Sequence, residues 1–180
     1  MCKTLTFVAW LVCCFVTVGQ AFGQPYLDGT PDGTTYTDPD VYSVYSAVIN
    51  SIFAANFHQP DTKIYIGDHT ATGQDVCSPP NKEHQAMLAP ALADCEKTNK
   101  LQRHLLPRFS LEKPYEVVRK APQGAAWIYL SSVGFNSDKT LAVVSAISSA
   151  GSGTNYVLIK KDGAWQVLTG WSDYGCALAS

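Results

Sequence analysis

The stretch NYVLIKKDGAWQVLTGW, residues 155–171, decides the fold class. Two β-rich apolar runs, 155–161 and 164–171, flank Asp162-Gly163, and Asp-Gly readily supplies the two left-handed residues that a two-residue hairpin needs. The chain is therefore expected to fold back here as two antiparallel strands. Two more runs of the same kind stand upstream, Trp127 to Phe135 and Thr140 to Ile147, separated from each other by Asn136 to Lys139 and from the hairpin by Ser148 to Thr154. Connections this short make sequence neighbours into antiparallel spatial neighbours. The carboxyl-terminal third thus predicts a four-stranded meander.

The first of those turns lies in SSVGFNSDKTLAVV, residues 131–144. Asn136, Ser137 and Asp138 carry short polar side chains that close turns on their own backbone. A bend explains them; a surface contact is the other use they could serve.

Upstream, the period changes. Asp38 is a helix cap, Pro39 suits the first helical position, and Val41, Val44, Tyr45, Val48, Ile49 and Ile52 recur on one stripe. A helix is predicted from there to about Ala55, with Tyr42 and Tyr45 as core residues keeping their hydroxyls at the rim. KIYIGDHT, residues 63–70, alternates like a half-covered strand and ends in Asp68-His69. Residues 81–100 have helical composition interrupted by Pro90, so two short helices or one kinked helix are expected, with Met87, Leu88, Ala91, Leu92 and Cys95 inward. Residues 101–109 read as irregular, and Glu116 to Lys120 as a short strand. The expected class is α+β: an N-terminal helix packed on the four-stranded antiparallel meander in a roll-like arrangement, with a helical middle segment.

The amino terminus reads as a signal peptide, residues 1–23: Lys3 precedes an uncharged apolar run from Leu5 to Val18, and small residues precede the cut after Gly23. The run breaks at Gly19-Gln20, short of the about 20 apolar residues a membrane span needs. Residues 24–38, dense in Gly, Pro, Thr and Asp, read as an exposed lead-in that Tyr26 or Tyr36 could fold onto a neighbour. Residues 39–180 form a single α+β domain, secreted or periplasmic. Without Lys3, twelve Lys and Arg stand against fifteen Asp and Glu with no charge block. That balance disfavours nucleic acid and anionic membrane surfaces as partners.

Export also frames the cysteines. Three of six leave with the signal, and Cys77, Cys95 and Cys176 meet an oxidising compartment. The pair nearest in sequence, Cys77 with Cys95, closes a short loop worth about 3 kcal/mol. Cys176 is then free, or is the alternative partner of either. No cysteine or histidine pair has structural-zinc spacing, so neither metal nor cofactor is expected.

SSVGFNSDKTLAVV, followed by a small-residue loop and YVLIKKDGAWQV, resembles the carboxyl-terminal half of a family of uncharacterised secreted bacterial proteins with a Gly-Phe-Asn hairpin. NKEHQAMLAPALADCEKTNK and FSLEKPYEVV resemble that family's middle region, so the similarity covers most of residues 41–180. Relatives often carry cysteines in the loop where this chain has Ser148 to Gly153, which removes a bridge there. The resemblance carries over no activity and no functional residue. In architecture alone, the helix and meander are also similar to cystatin-like and nuclear-transport-factor-2-like rolls, which host enzymes and pure binding modules alike.

Chemistry concentrates weakly. Asp68-His69 closes a strand, with Asp75, His84 or His104 available through folding, and a carboxylate orienting an imidazole suits acid-base catalysis. Adjacent strand residues point to opposite faces, however, so the two could share a pocket only across a bulge; a turn aspartate and a rim histidine is the plainer account. SSAGSGT, residues 148–154, could cradle an anion but lacks the lysine and the helix of a phosphate loop. Gly-x-Ser-x-Gly does not occur. Cys176, near Asp173 and Tyr174, has no histidine close in sequence. Trp127 and Trp165 read as core or edge aromatics, with a sugar platform as the alternative. Two functions remain: a binding or interaction module for a protein or small-molecule partner, or a roll-type hydrolase or isomerase with a pocket between helix and sheet using Asp68 or His69.

Overall fold

The computed structural model describes residues 31–56, 62–72, 82–149 and 153–171. The signal segment, Tyr26, Asp75, Cys77, Asp173, Tyr174, Cys176 and the side chain of His84 lie outside them. Helix α1, Pro39–Asn56, starts where the cap predicts. Asp38 Oδ1 accepts the Asp40 amide hydrogen at 2.9 Å, satisfying one of the amides that the first turn leaves without a helical partner. The six stripe residues from Val41 to Ile52 are all buried. On the strands, β1 covers Pro31–Thr35, β2 Ile64–Gly67, β3 Gln102–His104, β4 Tyr115–Val118, β5 Ala126–Leu130, β6 Gly134–Phe135, β7 Leu141–Ser148, β8 Gly153–Lys161 and β9 Ala164–Trp171.

The hairpin forms as its sequence requires: Asp162 and Gly163 sit at φ 51° and 81°, and Lys161 pairs with Ala164. β5, β7, β8 and β9 are successive antiparallel neighbours. They are one end of a larger open sheet of seven strands, ordered β4-β2-β5-β7-β8-β9 with β6 also on β7. β2 runs parallel to both β4 and β5, so the expected four-stranded antiparallel sheet is corrected to a mixed one. Parallel neighbours require crossovers, and no local signal in the sequence announces them.

The period of two on β7 separates the faces. Ala142, Val144 and Ala146 join α1 in the main core, together with Ile64, Ile66, Ile128, Leu130, Leu158 and Trp165. Leu141 and Val143 face the other way, onto Leu88 and Ala91 of helix α2, Lys82–Thr98. One helix therefore lies on each face. α1 shares its core with β2 and β5 as well as with the last three strands.

Helix α2 passes through Pro90 without splitting, with Pro90 exposed. Leu88, Ala91 and Cys95 are buried as predicted, and Leu92 is half-buried. Met87 is corrected: it is 54% exposed, because the buried stripe is only one residue wide on that side. The contact is close at Gly134, where a Cβ would meet the Ala91 carbonyl oxygen at 2.1 Å and the Cys95 nitrogen at 2.4 Å.

The lead-in is partly folded. β1 pairs in parallel with β3 as a separate two-stranded sheet, so residues 101–109 contain a strand rather than only irregular chain. Tyr36 is 9% exposed. In the turn after β6, Asn136 Oδ1 accepts the amide hydrogens of Thr140 and Leu141, both at 2.9 Å. Lys139 takes φ 50° and reaches Asp38 at 2.6 Å.

Candidate functional site

The Asp68-His69 pair meets in a way that strand geometry forbids. β2 ends at Gly67, and the chain bends at Asp68. The alternation of faces therefore stops before these residues, and His69 Nδ1 lies 2.6 Å from Asp68 Oδ1. This corrects the expectation that the two side chains diverge. The carboxylate, when ionised, can only accept, so Nδ1 carries the hydrogen and Nε2 of the neutral ring is left as an acceptor. His69 is 4% exposed rather than a rim residue, and its Nε2 has no hydrogen-bond partner.

His104 is the partner that folding supplies. It bridges His69 across antiparallel backbone, and the two rings lie 4.0 Å apart at 48°. The segment from Asp68 to Ala71 is held on both sides by backbone bonds. Leu105 N–H donates to Asp68 O at 2.8 Å and Thr70 N–H to Arg103 O at 3.0 Å, while Ala71 N–H donates to Leu130 O at 2.6 Å. Two further buried polar atoms lie along this strip without partners, Arg103 Nε and the Tyr36 hydroxyl. The Arg103 guanidinium lies 5.0 Å over the Tyr36 ring. Burial pushes the Tyr36 hydroxyl pKa up, and the charge of Arg103 opposes it. Buried polar atoms are nearly always paired, so three orphans on one strip mark it as unusual.

Among the described residues, the space between α1 and the sheet at this point is packed with apolar side chains. Tyr45, Val48, Ile49, Ile66, Ile128 and Leu130 fill that space. A concave feature sits beside the start of α1. Its origin is a polar ladder one helical turn apart: Tyr42, Ser46 and Asn50 at i, i+4 and i+8. The Leu106 amide donates to the Tyr42 hydroxyl at 2.8 Å, and Tyr42 donates in turn to Tyr36 O at 2.9 Å. The Ser110 amide donates to Ser46 Oγ at 2.9 Å, and the Glu112 amide to Asn50 Oδ1 at 3.2 Å. These bonds stitch residues 106–112 onto the helix, and Phe109 anchors the stitch edge-on against Tyr42 and Tyr115 at 5.4 Å and 5.7 Å.

Where the strap crosses the start of α1 it leaves a cleft of about 210 Å³, lined by Thr37, Pro39, Tyr42, Ser43, Ser46, Arg108 and Ser110. Burial raises the Tyr42 pKa, against the Leu106 amide and the Arg108 charge. The sequence reading missed this cleft. Its only trace was Ser43 and Ser46 beside the apolar stripe; Arg108 and Ser110 come from more than sixty residues away and only the fold brings them in.

The remaining candidates separate. Ser149 caps β5, accepting from the Trp127 amide at 3.3 Å, and residues 150–152 of the small-residue loop lie outside the described residues. Trp165 is 7% exposed and donates to Asp40 Oδ1 at 3.1 Å. Trp127 is half-buried against Tyr129 at 5.2 Å. The Cys95 sulfur is buried, 3.5 Å from the Ser132 carbonyl oxygen. Among the described residues, no group of three or more His, Cys, Asp or Glu side chains could hold a metal ion, and no helix is long and apolar enough to cross a membrane. Comparison with known proteins finds no matching family, no matching curated protein and no matching solved structure.

Proposed function

We propose that this chain is an exported binding module, secreted or periplasmic, that takes a small polar ligand in the cleft between the start of α1 and the 106–112 strap. The observation that carries this is the cleft itself: a concavity lined by Arg108, Tyr42 and several hydroxyl-bearing residues. At about 210 Å³ it falls below the about 300–1,000 Å³ of pockets for drug-sized molecules, which suits a metabolite-sized ligand. In this proposal a Cys77–Cys95 bridge steadies the middle segment. The resemblance to secreted bacterial proteins is consistent with export. The test is an amide NMR screen of the full chain with a diverse set of small polar compounds. Members of the set are expected to perturb Thr37, Ser43, Ser46 and Ser110. A screen in which those amides never move while the protein stays folded removes the proposal.

A second function, acid-base hydrolysis or isomerisation, is favoured by one observation: the Asp68–His69 contact at 2.6 Å with Nε2 left as an unpartnered acceptor. Asp68 would fix the tautomer, and Nε2, closed to solvent in the folded state, would take a proton once local opening admits water or substrate. Activated-ester hydrolysis that disappears in His69→Gln, with the circular dichroism spectrum unchanged, supports it; equal rates in both proteins reject it.

A further inference from the structure

We infer that the ligand of the α1 cleft carries an oxyanion, bound by Arg108 with its uncharged remainder over Tyr42 and Pro39; this rests on the binding-module proposal and adds the ligand's chemical class. Among the described residues, Arg108 is the only charged one in the lining, and no carboxylate lines the cleft. Its guanidinium makes no ion pair or side-chain hydrogen bond among the described residues. The two acids nearest the helix start are already neutralised: Asp38 pairs with Lys139 and Asp40 with Lys160, each at 2.6 Å. An incoming anion therefore meets one uncompensated cation and no carboxylate among the described lining residues.

The hydroxyls divide by role. Ser43 Oγ donates to Pro39 O at 3.0 Å and Ser46 Oγ to Tyr42 O at 2.7 Å, so neither hydrogen is available. The Thr37 and Ser110 hydroxyls have no partner among the described residues and remain as donors. A fork of guanidinium N–H groups flanked by hydroxyl donors matches a carboxylate or a phosphate, whose oxygens only accept. A neutral polyol could use the hydroxyls but would leave the guanidinium without a counter-charge.

The experiment is an amide NMR titration of the full chain with three probes: benzoate, inorganic phosphate and benzyl alcohol, repeated on R108Q. Benzoate is expected to shift Thr37, Ser43 and Ser110, with an affinity about tenfold above that of benzyl alcohol and about tenfold above its own in R108Q. Phosphate acting at the same amides in place of benzoate also supports the oxyanion and assigns phosphate as its source. Equal affinities for benzoate and benzyl alcohol, or no change in R108Q, overturn the oxyanion while leaving a binding cleft. Silence at those amides with all three probes overturns both the oxyanion and the cleft. Arg108 is exposed, so R108Q leaves the fold intact, and an unchanged Tm serves as the control.

Discussion

On the α1 side of the sheet, twenty-two buried residues form one cluster, whereas on the α2 side five do, both counted among the described residues. α1 presents a wide apolar stripe and is held by the mass it buries. α2 presents a narrow one, and its position is set by contact geometry: backbone against Gly134, Asp94 Oδ2 accepting the Phe135 amide at 2.9 Å, and Asn99 Oδ1 accepting the Ser132 amide at 3.0 Å. A large hydrophobic interface forms almost regardless of detail, because area removed from water is its driving term. A small one needs polar groups and a missing side chain to fix where it sits.

Four substitutions test that contrast. Tyr45 is fully buried and donates to the Ser131 carbonyl at 2.7 Å; Tyr45→Ala is expected to cost about 3–5 kcal/mol. Urea unfolding measures it, and the loss should be global; a cost under about 1 kcal/mol would break the claim that this face dominates. Gly134→Ala forces a methyl into the α2 backbone and is expected to cost about 1–3 kcal/mol. Hydrogen exchange should then quicken in α2 while α1 stays protected. Equal loosening of both helices would show that the two faces are one cooperative unit. Asn99→Ala leaves the buried Ser132 amide without this acceptor, for about 1–2 kcal/mol in the same assay.

The smallest effect concerns the α1 side's polar rim. The Lys160 hydrogen bond, helped by the Trp165 indole N–H and opposed by burial, holds the Asp40 carboxyl below its usual range. A folded value below the unfolded one contributes stability that is complete above the ordinary carboxylate pKa, and that contribution is lost as pH falls through the depressed folded value. Asp40→Asn should therefore lower stability slightly at pH 7, by a surface-pair amount of about 0.5–1 kcal/mol, read as a small fall in Tm. The gap between the two proteins should close in acid; a gap that is constant down to the acid transition would assign Asp40 a non-ionic role.

Legibility followed the range of the cause. The Asp162-Gly163 hairpin and the capped start of α1 were readable because each is set within a few residues. Asn136 was readable as a turn residue, but the four residues before it were not readable as the docking strip for α2. Nothing in Ser132 to Phe135 declares that a helix ending more than thirty residues upstream will lie against it. The site was less legible. Asp68 and His69 were singled out, yet period-two reasoning separated them because it assumed that the strand continued. His104 was one of three groups considered, and only the β2–β3 approach selects it. The cleft required Tyr42, Ser46 and Asn50 to be seen as a ladder for a distant strap, when their sequence signature is that of any polar helix edge.

The sequence alone determined what depends on local chemistry: where the two helices and the carboxyl-terminal strands lie, where the Asp-Gly hairpin turns, and that α1 carries a stripe to bury. Only the tertiary structure decided which strands are parallel, which face each helix covers, that Asp68 and His69 touch, and that Arg108 stands over the start of α1. The physical reason is separation along the chain. Backbone propensity and side-chain period act over a few residues, whereas crossovers, close approaches and clefts are set by which distant surfaces bury one another.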